Sequence, residues 1–167
     1  MGRIYSVTGE NLTVTATTRG LIGLATSATE LAAGGRLKIK RVEVSQRANA
    51  TSAQCGLLFS KRDQAGTLTH AAGRTPVNLD YGGLISAIIS GTAGHTPLNC
   101  GTGSTVDSGG TYVDIWSADF NCLNGYLWIP TPGEEIIIHN TSIFCVRFAA
   151  DPGTLTGWTI TLVYGEL

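Results

Sequence analysis

The residues best able to do chemistry in this chain are three histidines and four cysteines, and their spacing argues against most of it. Cys55, Cys100, Cys122 and Cys145 contain no C-x-x-C pair, so neither a zinc ribbon nor a dithiol redox motif is supported. Cys55 and Cys145 sit inside apolar runs, where a thiol acts as a small hydrophobe. Cys100 lies in a glycine-rich stretch and Cys122 follows a strand-like run. A Cys100–Cys122 bridge is open, though a reducing cytosol disfavours it. His70, His95 and His139 are scattered: His139 flanks a turn before Asn140, and His95 falls in a Gly/Thr stretch open to solvent. His95, Cys100 and Asp119 can be drawn as a catalytic arrangement, but no nucleophile elbow of the G-x-S-x-G type supports one. The glycines of 91–110 are not followed by Gly-Lys-Ser/Thr, so a phosphate-binding loop fails too. No catalytic, cofactor-binding or metal-binding residue is assigned: the chain reads as a non-enzyme with no cofactor.

The elements that would have to position such groups are strands. From Thr111 onward, runs rich in β-branched and aromatic residues follow one another: Tyr112–Phe120, Tyr126–Pro132, Glu135–His139, Ile143–Phe148 and Trp158–Tyr164. Asn124-Gly125, Pro132-Gly133, Asn140-Thr141 and Pro152-Gly153 separate them as turns. Earlier, Leu12, Val14 and Ala16 alternate with Thr13, Thr15 and Thr17, which places the first set on a core. Leu37 and Ile39 occupy odd positions but Val42 and Val44 even ones, so the buried face changes at Arg41 and a bulge or a change of sheet is expected there. Cys55–Ser60 is continuously apolar enough to be buried on both faces. At most short helical turns are expected near 27–33 and 84–90, the second being a short helix or a strand with apolar spacing that favours the helix slightly, and 91–110 reads as a long Gly/Thr/Ser-rich loop, either a surface loop or a contact that orders on a neighbouring subunit. Of the three tryptophans, Trp158 alternates with Ile160 and Leu162 as a core residue, while Trp128 lies beside Pro130 and Pro132. The sum is one all-β domain, a sandwich or barrel over residues 1–167.

Composition narrows the partners. Hydrophobic residues make up 43% of the chain but charged residues only 14%, about half the usual share. With 11 Lys+Arg against 12 Asp+Glu the net charge is −1, which gives no basic patch for nucleic acid. Thr, Ser and Gly fill the polar faces, a surface suited to permanent protein contact because few ions need desolvating. No apolar run is long enough to span a bilayer as a helix. No apolar h-region follows Arg3, so synthesis and folding in a reducing cytosol are expected. The loose myristoylation match at Gly2 and Ser6, and the acceptor-like Asn11-Leu12-Thr13, Asn49-Ala50-Thr51 and Asn140-Thr141-Ser142, read as accidents of a Thr-rich chain.

Four elements taken together resemble a known group: Arg3-Ile4-Tyr5-Ser6-Val7, Ser117-Ala118-Asp119-Phe120-Asn121, Trp128-Ile129-Pro130-Thr131-Pro132, and the strand from Trp158 to Tyr164 ending in Glu166-Leu167. They are similar to small bacteriophage head decoration (cement) proteins encoded near the major capsid protein. The resemblance covers the ends and the last third, and nothing from Ala48 to Gly110. It implies a jelly-roll-like antiparallel β-sandwich, a virion protein on the outer capsid surface that stabilises the shell, and partners limited to the major capsid protein and itself as a homotrimer, without nucleic acid or membrane. It carries over no active site. The alternative is a glycan- or receptor-binding module on the phage head or tail, which needs an aromatic platform beside polar side chains. For the shell contact, the first strand Arg3–Val7 and the 91–110 loop are the expected carriers, against the alternative that Ile4 and Tyr5 complete the protein's own sheet.

Overall fold

Turn residues and period-2 patterning cut the chain into thirteen strands among the described residues: β1 (Arg3–Leu12), β2 (Gly20–Ala25), β3 (Arg36–Gln46), β4 (Gln54–Arg62), β5 (Ala72–Gly73), β6 (Val77–Asn78), β7 (Ile89–Ser90), β8 (Asn99–Ser104), β9 (Val113–Asn121), β10 (Tyr126–Trp128), β11 (Ile136–His139), β12 (Ile143–Phe148) and β13 (Trp158–Glu166). The structure is a computed structural model and describes residues 3–15, 19–26, 35–62, 68–80, 86, 89–90, 99–104, 112–139, 142–153 and 155–167. No helix occurs among them. The helical turn expected near 27–33 lies outside the described residues, as does most of the one near 84–90, whose last two residues form β7 instead.

Two sheets result. One runs β10-β3-β13-β1-β6 with β11 also on β3; the other runs β5-β8-β2-β12-β4-β9 with β7 also on β8. All pairings are antiparallel except the two-residue β7–β8 pair. The pairings nest: β1 with β13, β2 with β12, β3 with β10 and β11, β4 with β9. A long hairpin rolled over two layers gives this nesting, which is the jelly roll, a sandwich of two Greek keys. Between β4 and β9 the chain adds β5 to β8. These extend one side of the sandwich, β6 beyond β1 and β8 beyond β2.

Alternation puts the core between the layers. Trp158, Ile160, Leu162 and Tyr164 of β13 are fully buried, each contributing about 1.5–3 kcal/mol of transfer free energy. Phe59, Phe144 and Phe148 face them from the other sheet, with Phe148 and Trp158 centroids 4.7 Å apart. The parity change in β3 is a bulge: Val163 pairs with Arg41 but Tyr164 with Ile39, which leaves Lys40 as the extra residue. On one side of it β3 carries β11, on the other β10. The run Tyr126–Pro132 stops as a strand at Trp128, because Pro130 and Pro132 have no N–H for the ladder. Burial of β4 on both faces is only partial: Cys55, Leu57 and Phe59 are buried inward, while Gly56 and Leu58 are half-buried outward.

The 91–110 segment is not one loop. Asn99–Ser104 is β8, paired with β2 along Gly20–Ala25; residues 91–98 and 105–110 lie outside the described residues. Glycine makes this strand possible. Gly23 and Gly101 face each other across the ladder, and the His70 ring and Leu68 fill the slot their missing side chains leave. His70 is buried there, its Nδ1 2.8 Å from Ser104 Oγ. Residues 68–72 thus cover the outer face of β2 and β8, which explains why all six residues of β2 are buried.

Candidate interaction face

The two sides of the sandwich are finished differently. On the β1–β2 side the edges are two-residue strands, β6 preceded by Pro76 and β5, short enough to resist pairing with another chain. On the opposite side β9 is the edge, nine residues long, with no strand beyond it among the described residues. It has neither proline nor lysine to discourage pairing.

This edge is also apolar. Val113 is 60% exposed, Trp116 46%, Leu127 57% and Ile129 64%. Ile115 and Leu123 are exposed as well. In β9 the residues Trp116, Ala118 and Phe120 stand opposite Phe59, Leu57 and Cys55, the inward set of β4. Phe120 reaches the core, whereas Trp116, nearer the open side, closes the gap between layers. Its Nε1–H donates to Tyr126 Oη at 2.8 Å, and its ring meets Trp128 at 6.1 Å, tilted 62°. Trp128 is buried against Phe59 at 5.3 Å, edge to face. A bulge at Phe59/Ser60 then shifts the register, so that Ser60 faces Asp114. The result is a groove of about 330 Å³ between the sheets, walled by Ile115, Trp116, Leu127, Ile129 and Pro130.

Charge is nearly cancelled beside it. Arg147 on β12 holds Asp114 through Nη2 at 2.8 and 3.0 Å and donates from Nε to Ser60 Oγ at 2.7 Å. Ser60 Oγ donates to Asp114 Oδ1 at 2.6 Å. Partial burial alone would raise the Asp114 carboxyl, but the Ser60 hydrogen bond and the Arg147 guanidinium outweigh it and hold the group below the ordinary carboxylate range. Beyond the groove, hydrogen bonds from the backbone amides of Glu135 and Gly133 lower Glu135, with Lys38 and Lys40 adding to the effect.

The drawn arrangement of His95, Cys100 and Asp119 is not assembled. His95 lies outside the described residues; Cys100 is on β8 and Asp119 on β9, at opposite ends of one sheet. Four interstrand spacings of about 4.8 Å separate those strands, on the order of 19 Å. All four cysteines are buried and free, so no Cys100–Cys122 bridge forms. Burial pushes the Cys100 and Cys145 thiols up to about 12, far from a nucleophilic thiolate. His139 ends β11, exposed, as a turn-flanking residue. No group of three or more metal-ligating side chains occurs among the described residues.

The first strand is not free to grip a neighbour. β1 pairs with β13 from Arg3 to Leu12 and with β6 at Tyr5 and Ser6, so Ile4 and Tyr5 complete the protein's own sheet. The β9 edge has no clean signal in sequence: Val113 and Ile115 share parity with polar Ser117 and Asp119, but the bulge at Ile115 turns Val113, opposite Lys61, onto the other face. No family model matches the chain, and no curated protein or solved structure matches it either.

Proposed function

We propose that this chain is a bacteriophage virion structural protein, a capsid decoration protein that binds the outer surface of the shell and stabilises it, and that the β9–β10 edge is the face that docks. The observation that carries the reading is the nine-residue β9 edge, free of proline and lysine, with Val113, Ile115, Trp116, Leu127 and Ile129 exposed along the β9–β10 side. Monomeric proteins seldom leave such a patch open. An open strand edge also offers main-chain hydrogen bonds to an extended segment of a partner. The low charge density and the motifs at the chain's ends support the same role. A homotrimer over threefold positions of the shell would engage several sites at once, and linkage raises apparent affinity even when each contact is weak.

The test is reconstitution on purified shells that lack the protein. Leu127→Lys places the new cation opposite Glu43 in the ladder, so folding is not penalised; Ile129→Lys sits beyond the strand. Each buried Leu or Ile contributes about 1.5–3 kcal/mol, so each change is expected to weaken shell binding roughly ten- to a hundredfold. Variants that fold and bind as tightly as the wild type refute the docking face. A handful of copies per virion, where the proposal expects hundreds, refutes the decoration role.

A further inference from the structure

A second concavity, of about 700 Å³, lies at one end of the sandwich and plays no part in the docking face. Volumes of roughly 300–1,000 Å³ are typical of small-molecule sites. Its walls come from the 47–53 connection, the start of β4, the end of β9 and the chain following β12. The lining is divided by chemistry. Pro152, Leu155 and the methyl groups of Ala149 and Ala150 give an apolar wall, with the ring of Phe148 buried behind it. The polar part of the lining is made by the amides of Asn49 and Gln54 and the carboxylates of Asp119 and Asp151.

Asp119 is the informative group. Its residue pairs with Gly56, and a Cβ on Gly56 would lie 3.2 Å from Asp119 Oδ1 and 3.0 Å from Ala149 Cβ. The missing side chain at 56 therefore leaves room for the carboxylate above β4. That carboxylate makes no hydrogen bond or ion pair among the described residues, whereas Asp151 accepts one from Gly153 N–H at 2.9 Å. Among the described residues no lysine or arginine is part of the lining; Arg19 donates from Nη1 to the Ala149 carbonyl at 2.8 Å. An anionic ligand would thus meet the Asp119 and Asp151 carboxylates, with the Arg19 guanidinium already engaged on Ala149. A ligand with several O–H donors and one apolar face fits both halves of the lining. We infer that this cleft binds a neutral saccharide, one hexose donating hydroxyls to Asp119 and laying its C–H face on Pro152 and the methyl groups of Ala149 and Ala150.

Titration of the full ¹⁵N-labelled chain tests this, with neutral di- and trisaccharides of glucose, galactose, mannose and N-acetylglucosamine, and with glucuronic acid and spermidine as charged probes. The expected result is that at least one neutral saccharide shifts the amide signals of Gly56, Ala150 and Gly153 with a Kd in the millimolar range. Asp119→Asn should weaken that binding about tenfold or more, because it replaces charge-assisted hydrogen bonds with neutral ones. Ala150→Phe, at an exposed position, should block it while preserving the fold. The inference is overturned if no neutral saccharide shifts those signals, if both variants bind like the wild type, or if spermidine alone binds. Leu127→Lys should leave saccharide binding unchanged, so failure here and failure of the shell-docking face are read separately.

Discussion

Replacing Gly101 by alanine separates two descriptions of the glycine-rich segment by the sign of the effect. In a flexible loop, Gly→Ala stabilises by about 0.4–1 kcal/mol, because it removes freedom from the unfolded chain. In β8 the added Cβ would lie 2.5 Å from His70 Cγ, 2.6 Å from His70 Cβ and 2.6 Å from the Ala72 carbonyl oxygen. The imidazole can retreat only by leaving Ser104. The carbonyl belongs to β5, whose Ala72 and Gly73 are paired with Thr102 and Gly101, so it cannot move without opening that ladder. Overpacking of this kind costs about 1–3 kcal/mol, and the backbone contact puts this site at the upper end. With a urea m-value of about 2 kcal/mol/M the midpoint should fall by roughly 1 M. His70→Ala combined with Gly101→Ala should lose less than the sum of the single losses, because the ring contact is relieved while the contacts with the Cβ of residue 70 and the Ala72 carbonyl stay. Urea unfolding followed by circular dichroism measures all three variants. A Gly101→Ala protein as stable as the wild type, or more so, would show that residues 68–72 do not pack on β8.

Arg147→Met should cost about 0.5–1 kcal/mol near neutral pH, since the bidentate pair is screened on the exposed side of Asp114. The folded Asp114 carboxyl is held below its unfolded value, so its contribution is complete above the ordinary carboxylate range and is lost as pH falls through the lowered folded value. Denaturation curves across acidic pH should accordingly be flatter for Arg147→Met than for the wild type; equal slopes would contradict the assignment. Among the tryptophans, only Trp116 is exposed, so Trp116→Phe should abolish most acrylamide quenching of the native fluorescence, whereas Trp128→Phe should leave it. The four buried thiols should resist a disulfide reagent in the native state and react together once the chain is unfolded; rapid reaction of Cys100 in native protein would place it outside β8.

Local patterning alone determined a good part of this molecule. Alternation marked Trp158, Ile160 and Leu162 as inward, and the structure buries all three. The parity change at Arg41 implied a bulge or a change of sheet, and the structure has the bulge, with Lys40 the extra residue. These features are legible because a strand's side-chain period is two and each residue reports its own face. Tertiary structure decided the rest. Asn99–Ser104 has no apolar alternation to betray a strand; its glycines are accommodated by His70 and Ala72, which arrive from elsewhere in the chain. Whether Val113 and Ile115 meet solvent or a further strand depends on β9 being the last strand on its side of the sheet. The cleft needs Gly56 beneath Asp119 and the chain after β12 beside both. Burial, and the sites that follow from it, belong to the neighbours a residue acquires, and those are fixed only when distant segments close on one another.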